Sequence, residues 1–175
     1  MDKFIDTVLL LGGNVGDTAE LLQEACLQIE LQIGPIEKRS ALYGSEAWGF
    51  ETEQDFINQA VVAKTNLPPH RVLELALEIE AQLGRKRSGK GYSSRTMDID
   101  VIFYGSEIID TPRLTVPHPR LHLRNFVLVP LCEIIPDFVH PVFGKTIRQL
   151  LDECPDEGKV WKIEQPLPLN ENIDN

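Results

Sequence analysis

Residues 93–105, SSRTMDIDVIFYG, contain the strand that decides both the fold and the chemistry expected of this chain. Successive side chains of a strand point to opposite faces, so Asp98 and Asp100 share one face and Met97, Ile99 and Val101 share the other. The two aspartate Cα atoms lie roughly 7 Å apart, and carboxylates that face the same way repel each other unless a cation neutralises them. The stretch therefore predicts either an edge strand with a solvent-exposed face or a cation site.

From the first strand through the aspartate strand, the predicted elements have the order β-α-β-β-α-β. Strand patterns cover 4–11, 37–46 and 55–65, and helical patterns cover about 17–33 and 69–83. This is the order of the split ferredoxin-like motif. We therefore expect an α+β protein with a ferredoxin-like α-β-α sandwich, in which a mostly antiparallel sheet is covered by helices.

Glycines and prolines supply the expected boundaries. GGNVGD at 12–17 predicts a tight turn without the glycine spacing of a phosphate-binding loop, and Gly84 predicts the end of the second helix. Residues 107–111 are expected to form the returning strand of a hairpin with the aspartate strand. Pro130 predicts a kink or boundary in an apolar helix, and residues 146–154 predict a short final helix.

Length and composition favour one globular domain. The chain has 175 residues, of which 42% are hydrophobic and 25% charged, and its formal net charge is −10. We expect a single domain over 1–165 and a polar, disordered tail over 166–175. The acidic balance argues against nucleic acid and anionic membranes as partners. The N-terminal stretch does not have the pattern of a signal peptide, so a cytoplasmic location is expected.

A basic loop leads directly into the aspartate strand. Arg85, Lys86, Arg87, Lys90 and Arg95 place five of the 17 bases within eleven residues. Such a run is often a solvated surface, and salt bridges between these cations and the aspartates are a second structural interpretation. Carboxylates for Mg²⁺ beside guanidinium groups for phosphate oxygens are also what a polyphosphate substrate requires. The combination favours phosphate chemistry more than either part alone.

Two further residues have a chemical and a structural interpretation. His118 lies between prolines in TVPHPR and is followed by Arg120 and Arg124, so a phosphate contact is credible, although a lone histidine is more often structural. Glu80 lies at the edge of the apolar stripe of the second helix, where a carboxylate that reaches solvent is the simpler interpretation.

The motifs RTMDIDV, LTVPHPRLHLRNFVLVPL and FINQAVV together resemble the 6-hydroxymethyl-7,8-dihydropterin pyrophosphokinases of folate biosynthesis, from about residue 4 to about residue 154. The resemblance implies transfer of pyrophosphate from ATP to the hydroxymethyl oxygen of the pterin, which leaves AMP. It also implies two Mg²⁺ ions held by Asp98 and Asp100. We expect small-molecule substrates and a monomer, with a weak dimer as the alternative.

The resemblance also implies roles for other residues. Arg85 and Arg95 correspond to catalytic loop arginines that engage ATP and the transferring group. The nucleotide side would be formed by Glu80, Arg87, Tyr92, Val101, Arg113, Thr115, His118 and Arg124. The pterin ring would lie between Phe56 and Phe126, with Asn58 at its hydrogen-bonding edge and Ser45 and Trp48 in the adjoining loop.

Departures from the family pattern affect affinity more than reaction type. Ser45-Glu46-Ala47 replaces the frequent Thr-Pro-Pro, which is expected to loosen the pterin loop, and Pro119 replaces an aromatic residue. A nucleotidyltransferase-like two-metal site remains an alternative, although it would need no pterin sandwich. A nucleotide-binding regulator without turnover is expected to carry substitutions at Asp98, Asp100 or the loop arginines, and the sequence shows none.

Overall fold

The computed structural model describes residues 3–13, 18–46, 56–87 and 97–164, with the side chains of 85–87 outside that description. The helices are α1 Thr18–Gln32, α2 Pro69–Arg87, α3 Asn125–Ile134 and α4 Ile147–Glu153, and a 3₁₀ turn spans Leu121–Leu123. The strands are β1 Ile5–Gly13, β2 Ile36–Arg39, β3 Tyr43–Ser45, β4 Phe56–Thr65, β5 Asp98–Tyr104, β6 Ile109–Asp110, β7 Thr115–Val116 and β8 Val160–Lys162.

The main sheet has the order β5-β1-β4-β3-β8, and β2 pairs with β4 beside β3. Every pairing of these strands is antiparallel. The strand alternation of β1 explains why both faces are covered, since Leu9 and Leu11 enter one core while Val8 and Leu10 enter the other.

Helices form a layer on each face of this sheet. The buried stripes of α1 and α2, which include Ile29 and Ile79, pack on the first face. Leu128 of α3 and Ile147 of α4 pack on the second face. The expected α+β sandwich with an antiparallel sheet between helices is confirmed.

The predicted strand over 37–46 is wrong as a single element. The structure divides it into β2 and β3, which pair with different parts of β4. Ser40, between the two strands, accepts a hydrogen bond on Oγ from the Ala60 N–H at 3.0 Å, and its carbonyl accepts from Gln59 Nε2 at 2.7 Å. The Ser40 N–H also donates to the Ala60 carbonyl at 2.9 Å, so side-chain and backbone hydrogen bonds together keep the interruption in contact with β4.

Three boundary predictions are also wrong. Gly12 and Gly13 end β1 instead of beginning a turn, since Gly12 pairs with both Asn58 and Asp98. Gly84 lies inside α2, because one glycine disfavours a helix interior by only about 1 kcal/mol and the helix continues to Arg87. Pro130 lies inside α3, so the boundary alternative is wrong, and the kink stays a prediction.

The hairpin predicted for residues 107–111 is wrong in its partner. Ile109 and Asp110 pair with β7, where Ile109 faces Val116 and Asp110 faces Thr115. The final helix is confirmed as α4, which begins at a capping box formed by Thr146 and Gln149. Residues 165–175, which include the predicted tail, lie outside the described residues.

Candidate active site

Three neighbouring strands bring the site together at one end of the sheet. The register places Gly12 of β1 opposite Asn58 of β4 on one side and opposite Asp98 of β5 on the other. Leu10 lies opposite Asp100 in the same way. These residues share the face of the sheet that α3 covers, so the Asn58 amide and the two aspartates belong to one surface.

The two aspartates face away from the first core, as the strand pattern predicts. Met97, Ile99 and Val101 are buried against α1 and α2. Asp98 is half-buried and Asp100 is exposed on the opposite face. The described strand therefore presents both carboxylates to the same cleft.

The cleft has a volume of about 570 Å³, which is suited to a small molecule. Seven of the residues implicated by the sequence line it: Ser45, Phe56, Asn58, Asp98, Asp100, Arg124 and Phe126. Its wall also contains residues that the sequence did not single out as site residues: Leu10, Gly12, Glu46, Arg120, Leu123 and Asp156.

Gly12 fits where a larger residue would not. A Cβ placed on Gly12 would lie 2.2 Å from Asn58 Oδ1 and 3.2 Å from Asn58 Cγ. The Asn58 side chain therefore crosses directly over the backbone of β1, on the side towards Asp98. The signal for Gly12 was present in the sequence, but the glycine pair was interpreted as a turn.

Two arginines form the basic side of the cleft, and His118 lies near them but outside the lining. Arg120 and Arg124 line the cleft. His118 is half-buried, and burial, followed by the charges of Arg124 and Arg120, lowers the pKa of its imidazole. Its Nδ1 accepts the Arg120 N–H at 3.2 Å. A neutral imidazole beside two guanidinium groups can donate a hydrogen bond to an anion without adding another charge.

Glu80 has a structural contact that its position on the helix did not reveal. Its Oε2 accepts the backbone N–H of Ile99 at 2.6 Å. Ile99 lies between Asp98 and Asp100, so this bond ties α2 to the strand at the aspartate pair. The interpretation of Glu80 as a carboxylate that simply reaches solvent is wrong.

Aromatic side chains line the other part of the cleft. Phe56 begins β4 opposite Ser45, and Phe126 lies in the first turn of α3. The Arg124 guanidinium carbon lies 5.8 Å from the centroid of the Phe126 ring, within the range of a cation–π contact. An aromatic face thus adjoins the basic side of the site.

Three of the proposed nucleotide residues have other surroundings. The Val101 side chain is buried in the first core, on the opposite face from the cleft. Arg113 Nη1 lies 3.5 Å from Glu74 Oε2 in an exposed ion pair. Thr115 is exposed on β7. The structure does not place these three side chains in the wall of the cleft.

Part of the predicted site cannot be positioned. Trp48, Tyr92 and Arg95 lie outside the described residues. Arg85 and Arg87 belong to the last turn of α2, but their side chains also lie outside the description. Their roles therefore stay predictions.

Residues 8–136 match the model of the 7,8-dihydro-6-hydroxymethylpterin-pyrophosphokinase family. The chain belongs to this family. A 2-amino-4-hydroxy-6-hydroxymethyldihydropteridine pyrophosphokinase of Synechocystis sp. is 41% identical over 168 residues, which cover 95% of this chain and 85% of that protein. The enzyme of the same name from Aquifex aeolicus is 40% identical over 143 residues, or 82% of this chain and 88% of the relative.

A solved structure shows the same fold at low identity. A Plasmodium falciparum HPPK-DHPS triple mutant has a TM-score of 0.69 and 18% identity. The match covers 87% of this chain and 44% of that chain, so this chain spans less than half of the larger protein.

Family membership confirms the resemblance drawn from RTMDIDV and its companion motifs. It also confirms that the chain is an enzyme, a pyrophosphokinase of folate biosynthesis with ATP as co-substrate. The alternatives of a nucleotidyltransferase and of a regulator without turnover are set aside. Among the described helices, none combines the length and apolarity needed to cross a bilayer.

Proposed function

We propose that the cleft between β5 and α3 carries the pyrophosphate transfer, with ATP at its acidic and basic side and the hydroxymethyl pterin at its aromatic side. The observation that carries the proposal is the row Asn58, Gly12 and Asp98 across β4, β1 and β5. In this row the Asn58 amide, which suits the edge of a heteroaromatic ring, and the Asp98 carboxylate, which suits a metal-bound phosphate, lie on the two strands that flank β1. Transfer between two bound substrates requires this closeness.

Asp98 and Asp100 would hold two Mg²⁺ ions. Carboxylates on one strand face suit this hard cation, which takes few protein ligands and completes its coordination with water and phosphate oxygens. When bound, the ions supply neutralisation of the phosphate charge and a lower pKa for the attacking hydroxyl.

The basic groups would orient the triphosphate. Arg120 and Arg124 line the same cleft as the aspartates, and His118 lies beside them with its charge disfavoured. Bidentate guanidinium contacts fix the direction of phosphate oxygens. Arg85 and Arg95 would complete this set at the transferring group. Arg87, Tyr92, Arg113 and Thr115 would bind on the nucleotide side, as would the backbone near Glu80 and Val101.

The pterin would stack between Phe56 and Phe126. Asn58 is buried and its amide offers both a donor and an acceptor to the edge of the ring. Ser45, also buried, and Trp48 would contribute from the adjoining loop. This arrangement would leave the hydroxymethyl group pointing towards the aspartates, because Asn58 and Asp98 flank Gly12.

The wider biological setting stays part of the proposal. We propose a cytoplasmic, monomeric enzyme that acts as one domain over residues 1–165, with small molecules rather than nucleic acid or membranes as its partners. The formal net charge of −10 supports the exclusion of polyanionic partners.

The test is an assay for AMP and pterin diphosphate with purified protein. We expect the two products in equal amounts, and only when ATP, Mg²⁺ and the reduced pterin alcohol are all supplied. Formation of ADP, or of AMP at the same rate without the pterin, would contradict the proposed reaction.

A further inference from the structure

A segment beyond the family-model match lies against the pterin side of the cleft. The match ends at residue 136, whereas residues 156–163 contribute Asp156 to the wall of the cleft and then form β8. We refer to residues 156–163 as the clamp segment. It contacts β3 and α3, which present Ser45 and Phe126.

The first contact is with β3, which ends at Ser45. Val160 pairs with Ser45, and Trp161 pairs with Gly44. A Cβ on Gly44 would lie 2.6 Å from the indole of Trp161, so this glycine permits close contact between the ring and the strand. The clamp segment therefore supports the strand on the side away from β4.

The same contact extends to the residue after β3. Glu46 Oε1 accepts the backbone N–H of Lys159 at 3.4 Å. Glu46 is the acid that stands in place of a proline in the frequent Thr-Pro-Pro. The sequence predicts a looser loop here, but Glu46 itself forms a hydrogen bond with the clamp segment.

The second contact is with the beginning of α3. The Asn125 N–H donates to Asp156 Oδ2 at 3.1 Å, and Asn125 Nδ2 donates to the carbonyls of Gly158 at 2.5 Å and Asp156 at 3.3 Å. Asp156 Oδ1 accepts the Gly158 N–H at 2.8 Å. Asn125 lies between Arg124 and Phe126, so these bonds fix the first turn that carries both residues.

We propose that the clamp segment positions the two walls of the pterin site relative to each other, with Asp156 and Asn125 as the positioning residues. Both carboxylate oxygens of Asp156 accept backbone N–H groups. Its carboxylate therefore joins the first turn of α3 to the clamp segment. The inference rests on the proposed assignment of Phe56, Asn58 and Phe126 to the pterin.

The experiment compares pterin affinity with thermal stability in three variants. Asn125→Ala and Asp156→Ala each remove part of the contact with α3. Thr146→Ala is the matched control, because it removes the cap of α4, which packs in the same layer but does not line the cleft. Pterin Kd is measured by calorimetry in the presence of Mg²⁺ and a non-hydrolysable ATP analogue, and Tm is measured for each variant.

We expect Asn125→Ala and Asp156→Ala each to raise the pterin Kd about tenfold, as for the loss of one or two hydrogen bonds. The double variant should bind the pterin at least as weakly as either single variant, because the two changes remove different hydrogen bonds between the clamp segment and α3. Thr146→Ala should change Kd less than about twofold at a similar loss of Tm. If Asp156→Ala does not fold, Asn125→Ala and Thr146→Ala still make the comparison.

A rise in Kd no larger than that of Thr146→Ala, in both single variants, would overturn the inference. Phe126→Ala separates this failure from failure of the proposed function. If Phe126→Ala weakens pterin binding and Asn125→Ala does not, the pocket is correct and the role of the clamp segment is not. If Phe126→Ala also has no effect, the pocket assignment itself is wrong.

Discussion

Asn58 lies across the backbone of Gly12 so closely that a Cβ on residue 12 would be 2.2 Å from Asn58 Oδ1. The strand register places Asp98 on the other side of the same glycine. The absence of a side chain at residue 12 therefore leaves room for the Asn58 amide over β1, between the strands that carry Asn58 and Asp98. The first prediction tests this relationship.

Gly12→Ala should displace the Asn58 amide and weaken pterin binding. Overpacking of this kind costs about 1–3 kcal/mol, which corresponds to a roughly 5- to 150-fold rise in pterin Kd. Kd is measured by calorimetry, together with the Kd of a non-hydrolysable ATP analogue, which should change much less.

The control is a double-mutant cycle with Asn58→Ala. If residue 12 acts through the amide, Gly12→Ala should add little to the loss already caused by Asn58→Ala. An equal loss in both backgrounds would show that Gly12 affects the site by another route.

Glu80 should act through the strand that carries the aspartates. Glu80→Ala leaves the buried Ile99 N–H without its 2.6 Å acceptor, and loss of a residue that orients metal ligands typically costs 10- to 100-fold in metal affinity or activity. We expect a higher Mg²⁺ concentration for half-maximal AMP formation. The measurement is a Mg²⁺ titration at saturating ATP and pterin.

Two variants make the Glu80 experiment specific. Glu80→Gln keeps an acceptor oxygen and should recover most of the activity. Glu78→Ala removes an exposed carboxylate from the same helix, 3.9 Å from Arg71, and should leave the Mg²⁺ titration unchanged. A normal titration for Glu80→Ala would remove Glu80 from the account of the site.

Phe126→Ala should weaken the pterin far more than the nucleotide. Loss of an aromatic stacking partner should raise pterin Kd by at least about tenfold. Phe143→Ala truncates a partly exposed ring outside the lining of the cleft and serves as the control. A larger effect on the ATP analogue than on the pterin would exchange the two assigned sides of the cleft.

His140 should make stability depend on pH. Burial, followed by the charge of His122, lowers the pKa of His140 from 6.5 to about 4. Because the folded pKa lies below the unfolded value, this contribution is complete above pH 6.5 and is lost as pH falls towards 4, by up to about 3 kcal/mol. The free energy of unfolding is measured by denaturant titration at pH 7.5 and 5.

His140→Asn provides the comparison for that experiment. Asparagine Oδ1 can accept the Val142 and Phe143 N–H groups that His140 Nδ1 accepts at 3.1 and 3.2 Å. The variant should lose less stability than the wild type between the two pH values, since the carboxylates of the protein contribute equally to both. Identical losses would show that His140 does not carry the pH dependence.

Local sequence predicts the elements whose periodicity is strong, and it fails where tertiary contacts set the boundaries. The alternation around Asp98 and Asp100 gives both the strand and its polar face. The short strand β8 has only three residues and depends on pairing with β3, so its own sequence carries little signal. Gly12 is in a strand because two neighbouring strands pair with it, which a turn-like glycine pair does not reveal.

The residues of the site likewise fall into those that the sequence identifies and those that only tertiary contacts reveal. Motifs with specific side chains, such as Asp98 and Phe126, identify residues of the cleft directly. Contacts with the backbone are missed, because the partners are distant in sequence; Asp156 is not identified at all, and Glu80 is named by the resemblance without its bond to the strand. Asp156 bonds to Asn125 across 31 positions, and Glu80 bonds to Ile99 across 19.

The central claim is that Asp98 and Asp100 hold the metal ions that carry the triphosphate. The most direct measurement is anomalous diffraction from crystals grown with Mn²⁺ and a non-hydrolysable ATP analogue. We predict two metal peaks within ligand distance of these carboxylates and of phosphate oxygens, and loss of both peaks in Asp98→Ala. A bound analogue with no metal contacting either aspartate would contradict the account.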